Sequence, residues 1–234
     1  MNVKFDFKEN YDFNDLITIM SLLRSSDGCV WDREQTHKTI RNNLIEETYE
    51  AVEAIDNGDT GLLKEELGDV LLQVVFHAQI EKEAGAFDID DVADGICKKL
   101  IYRHPHVFGE VTVENASQVL DNWNELKKVE KHQYTAKASM DGVARSLPAL
   151  MRTQKVFKRA AREKLVALNP ESSLDMLAEI CAEMKASYRS NSVISSELLG
   201  KLLLESCKIA VAEKMEGEQV LYEACEAFIR QYDD

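Results

Sequence analysis

Proline and glycine are scarce, at 3 and 10 of 234 residues. That scarcity excludes collagen-like and low-complexity readings. Turn-forming residues and β-branched clusters are also too few for an all-β fold. No apolar run approaches the roughly 20 residues needed to span a bilayer. The N-terminus, MNVKFDFKENYDF, lacks the apolar core of a signal peptide, so no membrane is involved and the cytoplasm is the expected location. The CxxC pair is missing too. Cys29, Cys97, Cys181, Cys207 and Cys225 are scattered and odd in number, which suggests neither a zinc site nor a disulfide framework. They are expected as reduced thiols, mostly buried as small hydrophobes. Positive charge is in deficit, with 28 Lys and Arg against 42 Asp and Glu and a net charge of −14. Phosphate backbones would repel such a chain, so nucleic acid is an unlikely partner.

What is abundant is helical periodicity. Phe13, Leu16, Ile17, Met20 and Leu23 recur at three- and four-residue steps and predict a first helix over about 12–25. SSDGCVWD reads as a loop. A second helix, capped by Thr36 or Thr39, carries Leu44, Tyr49, Val52 and Ile55 and stops at Asn57-Gly58. A third spans about 60–84, with Leu67, Leu71, Val74, Val75 and Ala78 as its inner stripe, and ends at Gly85. A fourth, 89–102, stops before His104-Pro105 because the residue before proline avoids helical geometry. A fifth covers 115–131. The polar stretch 132–142 reads as a linker, 145–164 as a basic helix, and three further helices fit at 172–189, 194–215 and 217–231. The fold class is all-α, built of helical bundles.

Acid is unevenly spread. Residues 1–135 hold 14 basic and 27 acidic side chains, whereas 136–234 hold 14 and 15. The second helix contains EETYE, with Glu46, Glu47 and Glu50; the third contains EELGD, with Glu65, Glu66 and Asp69. Glu47 and Glu50 share a face at i,i+3, and so do Glu66 and Asp69. The short connection between the helices makes them antiparallel neighbours, so four carboxylates can meet across one interface. Crowded carboxylates disfavour one another's ionisation. A bound cation would resolve the repulsion, and all-oxygen ligands select hard ions such as Mg²⁺, with Mn²⁺ as the alternative. A di-iron centre would want Glu-x-x-His pairs, which are absent here. The competing reading is that ExxE pairs lie on solvated helix faces. The two readings stand level on spacing alone.

Cations gather downstream: Lys98, Lys99 and Arg103 at the end of the fourth helix, Lys127 and Lys128 one turn after Trp123 on the fifth. Beside cation-bound carboxylates they would complete a triphosphate site, with an indole against a base. Ordinary surface charge for the lysines and core packing for Trp123 are the plainer alternatives. Trp31 either shapes the pocket or anchors its loop.

The segments CVWDREQTH, EETYEAVEAI, EELGDVLLQVVFHAQ, KLIYRHPHVFG and WNELK, in this order, resemble a MazG-type nucleotide pyrophosphohydrolase domain of the all-α nucleoside triphosphate pyrophosphatase superfamily. RSLPALMRTQKVFKRAA resembles the connector of tandem members. The resemblance implies a MazG domain over 1–135, a connector with a basic helix over 136–164 and a diverged repeat over 165–234. It implies Mg²⁺-dependent cleavage of a nucleoside triphosphate to the monophosphate and pyrophosphate, serving to remove non-standard or excess nucleotides. Glu47, Glu50, Glu66 and Asp69 would be metal ligands, and Glu46 a further ligand or the group that orients the attacking water. Lys99, Arg103, Trp123 and Lys127 match the family's substrate contacts. Val30 departs from the family's usual proline, which changes loop stiffness rather than chemistry. A homodimer is implied, because the bundle is usually completed by a second copy. The alternative function is a nucleotide-binding regulatory or interaction protein with little or no turnover.

The second half keeps the rhythm but not the acids. Leu198 stands where the first half has Glu66, Lys201 where it has Asp69, and Ala182 where it has Glu50, while Glu179 matches Glu47. A lysine amid a former acid cluster argues against metal binding there, so this half is expected to be structural.

Overall fold

The computed structural model describes residues 5–232. They fold as twelve α-helices and one 3₁₀ turn, with no strand among the described residues. None of the described helices is long and apolar enough to cross a membrane. The chain divides into two compact units at Thr112/Val113.

The first unit starts with α1 (Phe13–Leu23), whose Asp12 and Asp15 form a capping box. Each carboxylate accepts an otherwise unpaired N–H, which is what starts a helix at this point. Five residues inside the expected SSDGCVWD loop and just beyond it form α2 (Val30–Glu34). Helix α3 (Arg41–Asn57) ends at Gly58, whose φ of +65° is the left-handed geometry that glycine adopts without strain. Its N-cap is Ile40, with no side-chain cap. Thr36 and Thr39, expected to cap it, instead bond to each other across a turn, Thr36 N–H to Thr39 Oγ1 at 2.8 Å. Asp59 caps α4 (Thr60–Ala84), and Gly85 closes it. Then come α5 (Ile89–Arg103), with an Asp88/Asp91 capping box, and the single turn α6 (Pro105–Phe108), with proline at its start.

The core of this unit joins Met20, Ile40, Val75, Phe76, Ala78 and Ile89. Helix α4, about 37 Å long at 1.5 Å per residue, therefore has two parts. Residues 72–80 sit in the core, and the turns before them run out alongside α3 over the buried Ala51 and Ala54. The expected inner stripe of α4 is correct only for Val75 and Ala78. Leu67, Leu71 and Val74 are exposed, as are Tyr49, Val52 and Ile55 on α3. The α3–α4 pair thus shows an uncovered apolar face.

The second unit contains α7 (Ala116–Glu130), α8 (Ala136–Asp141), α9 (Ala149–Arg162), α10 (Pro170–Asn191), α11 (Ser196–Ala212) and α12 (Gly217–Ile229), followed by a 3₁₀ turn at Arg230–Tyr232. The presumed linker 132–142 contains α8 and is not an open connection. Helix α7 belongs to this unit, tied to the end of α9 by Lys128 Nζ–Glu163 Oε1 at 2.6 Å. The compact division thus falls earlier than residue 135. Helix α9 packs against α8, α11 and α12. Its Gln154 is only 1% exposed. That side chain donates to Met215 O and accepts from Gly217 N–H, both at 2.8 Å, and so fastens the α11–α12 turn. The cysteines correct another expectation. All five are free, but Cys97, Cys181 and Cys225 are exposed and only Cys207 is fully buried.

Candidate functional site

The α3–α4 hairpin brings its acids together by symmetry of spacing. Glu50 and Glu66 stand eight residues either side of Gly58, and Glu47 and Asp69 stand eleven. Antiparallel helices joined by a tight turn place such positions opposite one another. Carboxylate oxygens of Glu47, Glu66 and Asp69 accordingly lie within 4.8 Å of one another. Glu66 is buried and the other two are half-buried. Glu50 is exposed and lies outside this group of three, close enough for its charge to act on Glu47 and Glu66. Glu46 is exposed and is not one of this group.

The electrostatics follow from this crowding. Burial, the hydrogen bond to Glu50, and the charges of Asp69, Glu50 and Glu66 raise the Glu47 pKa above its usual value. Burial, then the charges of Glu50, Asp69 and Glu65, raise that of Glu66. This closeness and these shifts set Glu47 and Glu66 apart from acids spread along a solvated helix face. Three converging carboxylates form an all-oxygen donor set of the kind a hard divalent cation takes.

Other expected site residues are distributed as follows. Lys99 and Arg103 sit one turn apart on α5, half-buried and buried respectively. Lys98, by contrast, forms an exposed surface pair with Asp94 at 2.5 Å. Trp31 is exposed on α2. Trp123 and Lys127 belong to the second unit, where the Lys127 ammonium lies 4.5 Å from the centre of the Trp123 ring. In the second unit, Leu198 at the place of Glu66 is buried as Glu66 is. Lys201 pairs with Glu197 one turn earlier on its own helix at 2.7 Å.

Two contacts farther along α4 have no signal in the spacing. His37, in the turn before α3, faces His77 on α4, with their Nδ1 atoms 2.7 Å apart and their rings stacked. Its Nε2 meets Glu81 Oε1 at 2.6 Å. The Arg24 guanidinium, at the end of α1, grips Glu83 on α4 and donates to the carbonyls of Asp32 and Gln35 at the end of α2. Together they fix the α1–α3 segment, and with it Trp31, against α4. Forty or more residues separate His37 from His77 and Arg24 from Glu83, so periodicity cannot reveal these pairs.

Residues 35–108, which contain the whole hairpin, match the MazG nucleotide pyrophosphohydrolase domain. The chain is 39% identical over 222 residues to the nucleoside triphosphate pyrophosphohydrolase of Escherichia coli K12, covering 93% of this chain and 84% of that protein. It belongs to the MazG family. The nucleoside triphosphate pyrophosphohydrolase/pyrophosphatase MazG of Thermotoga maritima is 38% identical over 221 residues, 94% of this chain and 84% of that one. The nucleoside triphosphate pyrophosphohydrolase of Mycolicibacterium smegmatis is 43% identical over 155 residues, 65% of this chain and 47% of its own length. For a MazG chain, the similarity to the first two extends through both units, so the second unit is part of the shared architecture as well as the carboxylate hairpin.

Proposed function

We propose that this MazG protein hydrolyses nucleoside triphosphates to the monophosphate and pyrophosphate in the cytoplasm, removing non-standard or excess nucleotides. The observation that supports this reading best is the convergence of Glu47, Glu66 and Asp69 within 4.8 Å, on a hairpin inside the segment that matches the family. Glu47, Glu66 and Asp69 would hold Mg²⁺ or Mn²⁺, with Glu50 as the fourth carboxylate. When bound, the cation would neutralise these acids, polarise phosphate oxygens and acidify water.

The chain's own residues then divide the remaining work. Glu50, exposed beside Glu47 and Glu66, is placed to accept a proton from an attacking water. Glu46 is the further acid on that helix. Lys99 and Arg103 carry the charge that would hold the departing pyrophosphate. Trp31, Trp123 and Lys127 are the proposed nucleotide contacts. The uncovered apolar face of α3 and α4 supports a homodimer, because contiguous exposed apolar surface marks an interaction site. The second unit, with Leu198 and Lys201 in place of acids, is proposed as structural.

The test is pyrophosphate release from a panel of ribo- and deoxyribonucleoside triphosphates with Mg²⁺, beside Glu50→Gln and Asp69→Asn. Release by the parent and at least a hundred-fold loss in both variants is the expected result. No release, with nucleotide still bound, would replace hydrolysis by a regulatory binding role.

A further inference from the structure

A basic hollow lies wholly inside the second unit of this acidic chain. Lys127, Lys128, Lys155, Lys158, Arg159 and Arg162, from α7 and α9, line a cavity of about 180 Å³. Two of these cations are neutralised locally, Lys128 by Glu163 at 2.6 Å and Lys158 by Glu216 at 3.0 Å. Lys155, Arg159 and Arg162 have no carboxylate within ion-pair distance among the described residues. Their spacing on α9 follows from the helix, since 155, 159 and 162 fall at i, i+4 and i+7 and share one face. Arg159 is held in place without being neutralised. Its guanidinium donates to the backbone carbonyl of Ser139, and Gly142 leaves room for it, because a Cβ there would press on Arg159 and collide with Gln133. Burial, then the charge of Arg162, works against its protonated form. Three like charges converge here in a protein whose net charge is −14, and an anion would relieve the repulsion.

We propose that this hollow binds a short condensed phosphate, either free pyrophosphate or the phosphate chain of a nucleotide, on Lys155, Arg159 and Arg162. The volume decides the class. It is smaller than the roughly 300–1,000 Å³ of pockets that enclose drug-sized ligands, so it accommodates linked phosphates but not a whole nucleotide. Guanidinium forks match phosphate oxygens in pairs. An extended nucleic acid is disfavoured by the overall negative charge. Lys127 is also one of the proposed nucleotide contacts, whereas Lys155, Arg159 and Arg162 have no part in the proposed hydrolytic site.

The test is titration calorimetry of the full chain with sodium pyrophosphate at low salt in excess EDTA, where uncompensated carboxylates repel anions. The expected result is saturable binding of one pyrophosphate per chain, weakened at least ten-fold by Lys155→Ala/Arg162→Ala and unchanged by Glu66→Gln. Both altered α9 residues are exposed, and an unchanged melting temperature confirms that the variant is folded. Lys155→Gln alone, weakening binding by a smaller factor, serves as the second variant. ATP binding no tighter than pyrophosphate assigns the site to free condensed phosphate; ATP at least ten-fold tighter assigns it to a nucleotide's chain. No saturable binding of either, equal binding by the α9 double variant, loss of binding in Glu66→Gln, or binding of an RNA oligomer alone would overturn the proposal.

Discussion

Arg24 is where one side chain sets the position of a whole segment. Its side chain is 7% exposed and faces a Glu83 side chain that is 38% exposed. It donates to Glu83 at 2.9 Å through Nε and 2.7 Å through Nη2, and through Nη1 to Asp32 O and Gln35 O. It also lies 5.3 Å from the ring centre of Phe76, in the core. Arg24→Met keeps the stem and loses every donor. The bond to a partly solvated Glu83 counts for at most about 1 kcal/mol. The charged donations to two backbone carbonyls add about 1–2 kcal/mol, because those carbonyls are only partly rehydrated when the donor goes. The total is about 1–3 kcal/mol, or roughly 2–12 °C in melting temperature for a chain of this size. Glu83→Gln should cost less than about 1 kcal/mol, since the backbone bonds survive it. Differential scanning calorimetry measures both, and hydrogen exchange over 30–35 should rise only in Arg24→Met. A melting temperature for Arg24→Met within 2 °C of the parent's, or equal losses from both substitutions, would refute this reasoning.

Two further outcomes follow from the same geometry. Glu47 and Glu66 are held above the ordinary glutamate value of 4.5, so folding favours their protonated forms. Their contribution is complete below that value and is lost as pH rises through the raised pKa values. In EDTA, a Glu47→Gln/Glu66→Gln variant should therefore melt above the parent at pH 7.5, with the gap closing toward pH 4.5 and Mg²⁺ narrowing it at neutral pH. A gap independent of pH would contradict the shifts. Gln154→Leu leaves the Met215 carbonyl and the Gly217 N–H unpaired in a site that is 1% exposed. It should cost about 2–4 kcal/mol in urea unfolding, and a loss below about 0.5 kcal/mol would show that water replaces the side chain.

The long helices were legible because periodicity and capping agree. Asp12, Asp59 and Asp88 each stand before an apolar rhythm, and Gly58 and Gly85 each follow one. The carboxylate cluster was legible for a related reason. Its three members, Glu47, Glu66 and Asp69, lie on two consecutive helices joined by a short turn, so local geometry alone nearly brings them together. Helices α2 and α8, of five and six residues, escaped because so few turns carry no periodic signal. The Thr36–Thr39 turn was misread as a cap because hydroxyls bond their own backbone as readily as a helix start. The exposure of Leu67, Leu71 and Val74 was misjudged because an apolar stripe says that a face wants cover, not that the same chain supplies it.

The amino-acid order by itself therefore determined the all-α class, the ends of the long helices and the identity of the acid pairs, since these depend on contacts within a few turns. Only the tertiary structure decided which acids converge, how Arg24 and His37 pin the early segment to α4, and that α9 gathers three cations at one hollow. Those outcomes depend on contacts between residues distant in the chain, where packing and the cost of unpaired charge select one arrangement among many that the local pattern permits.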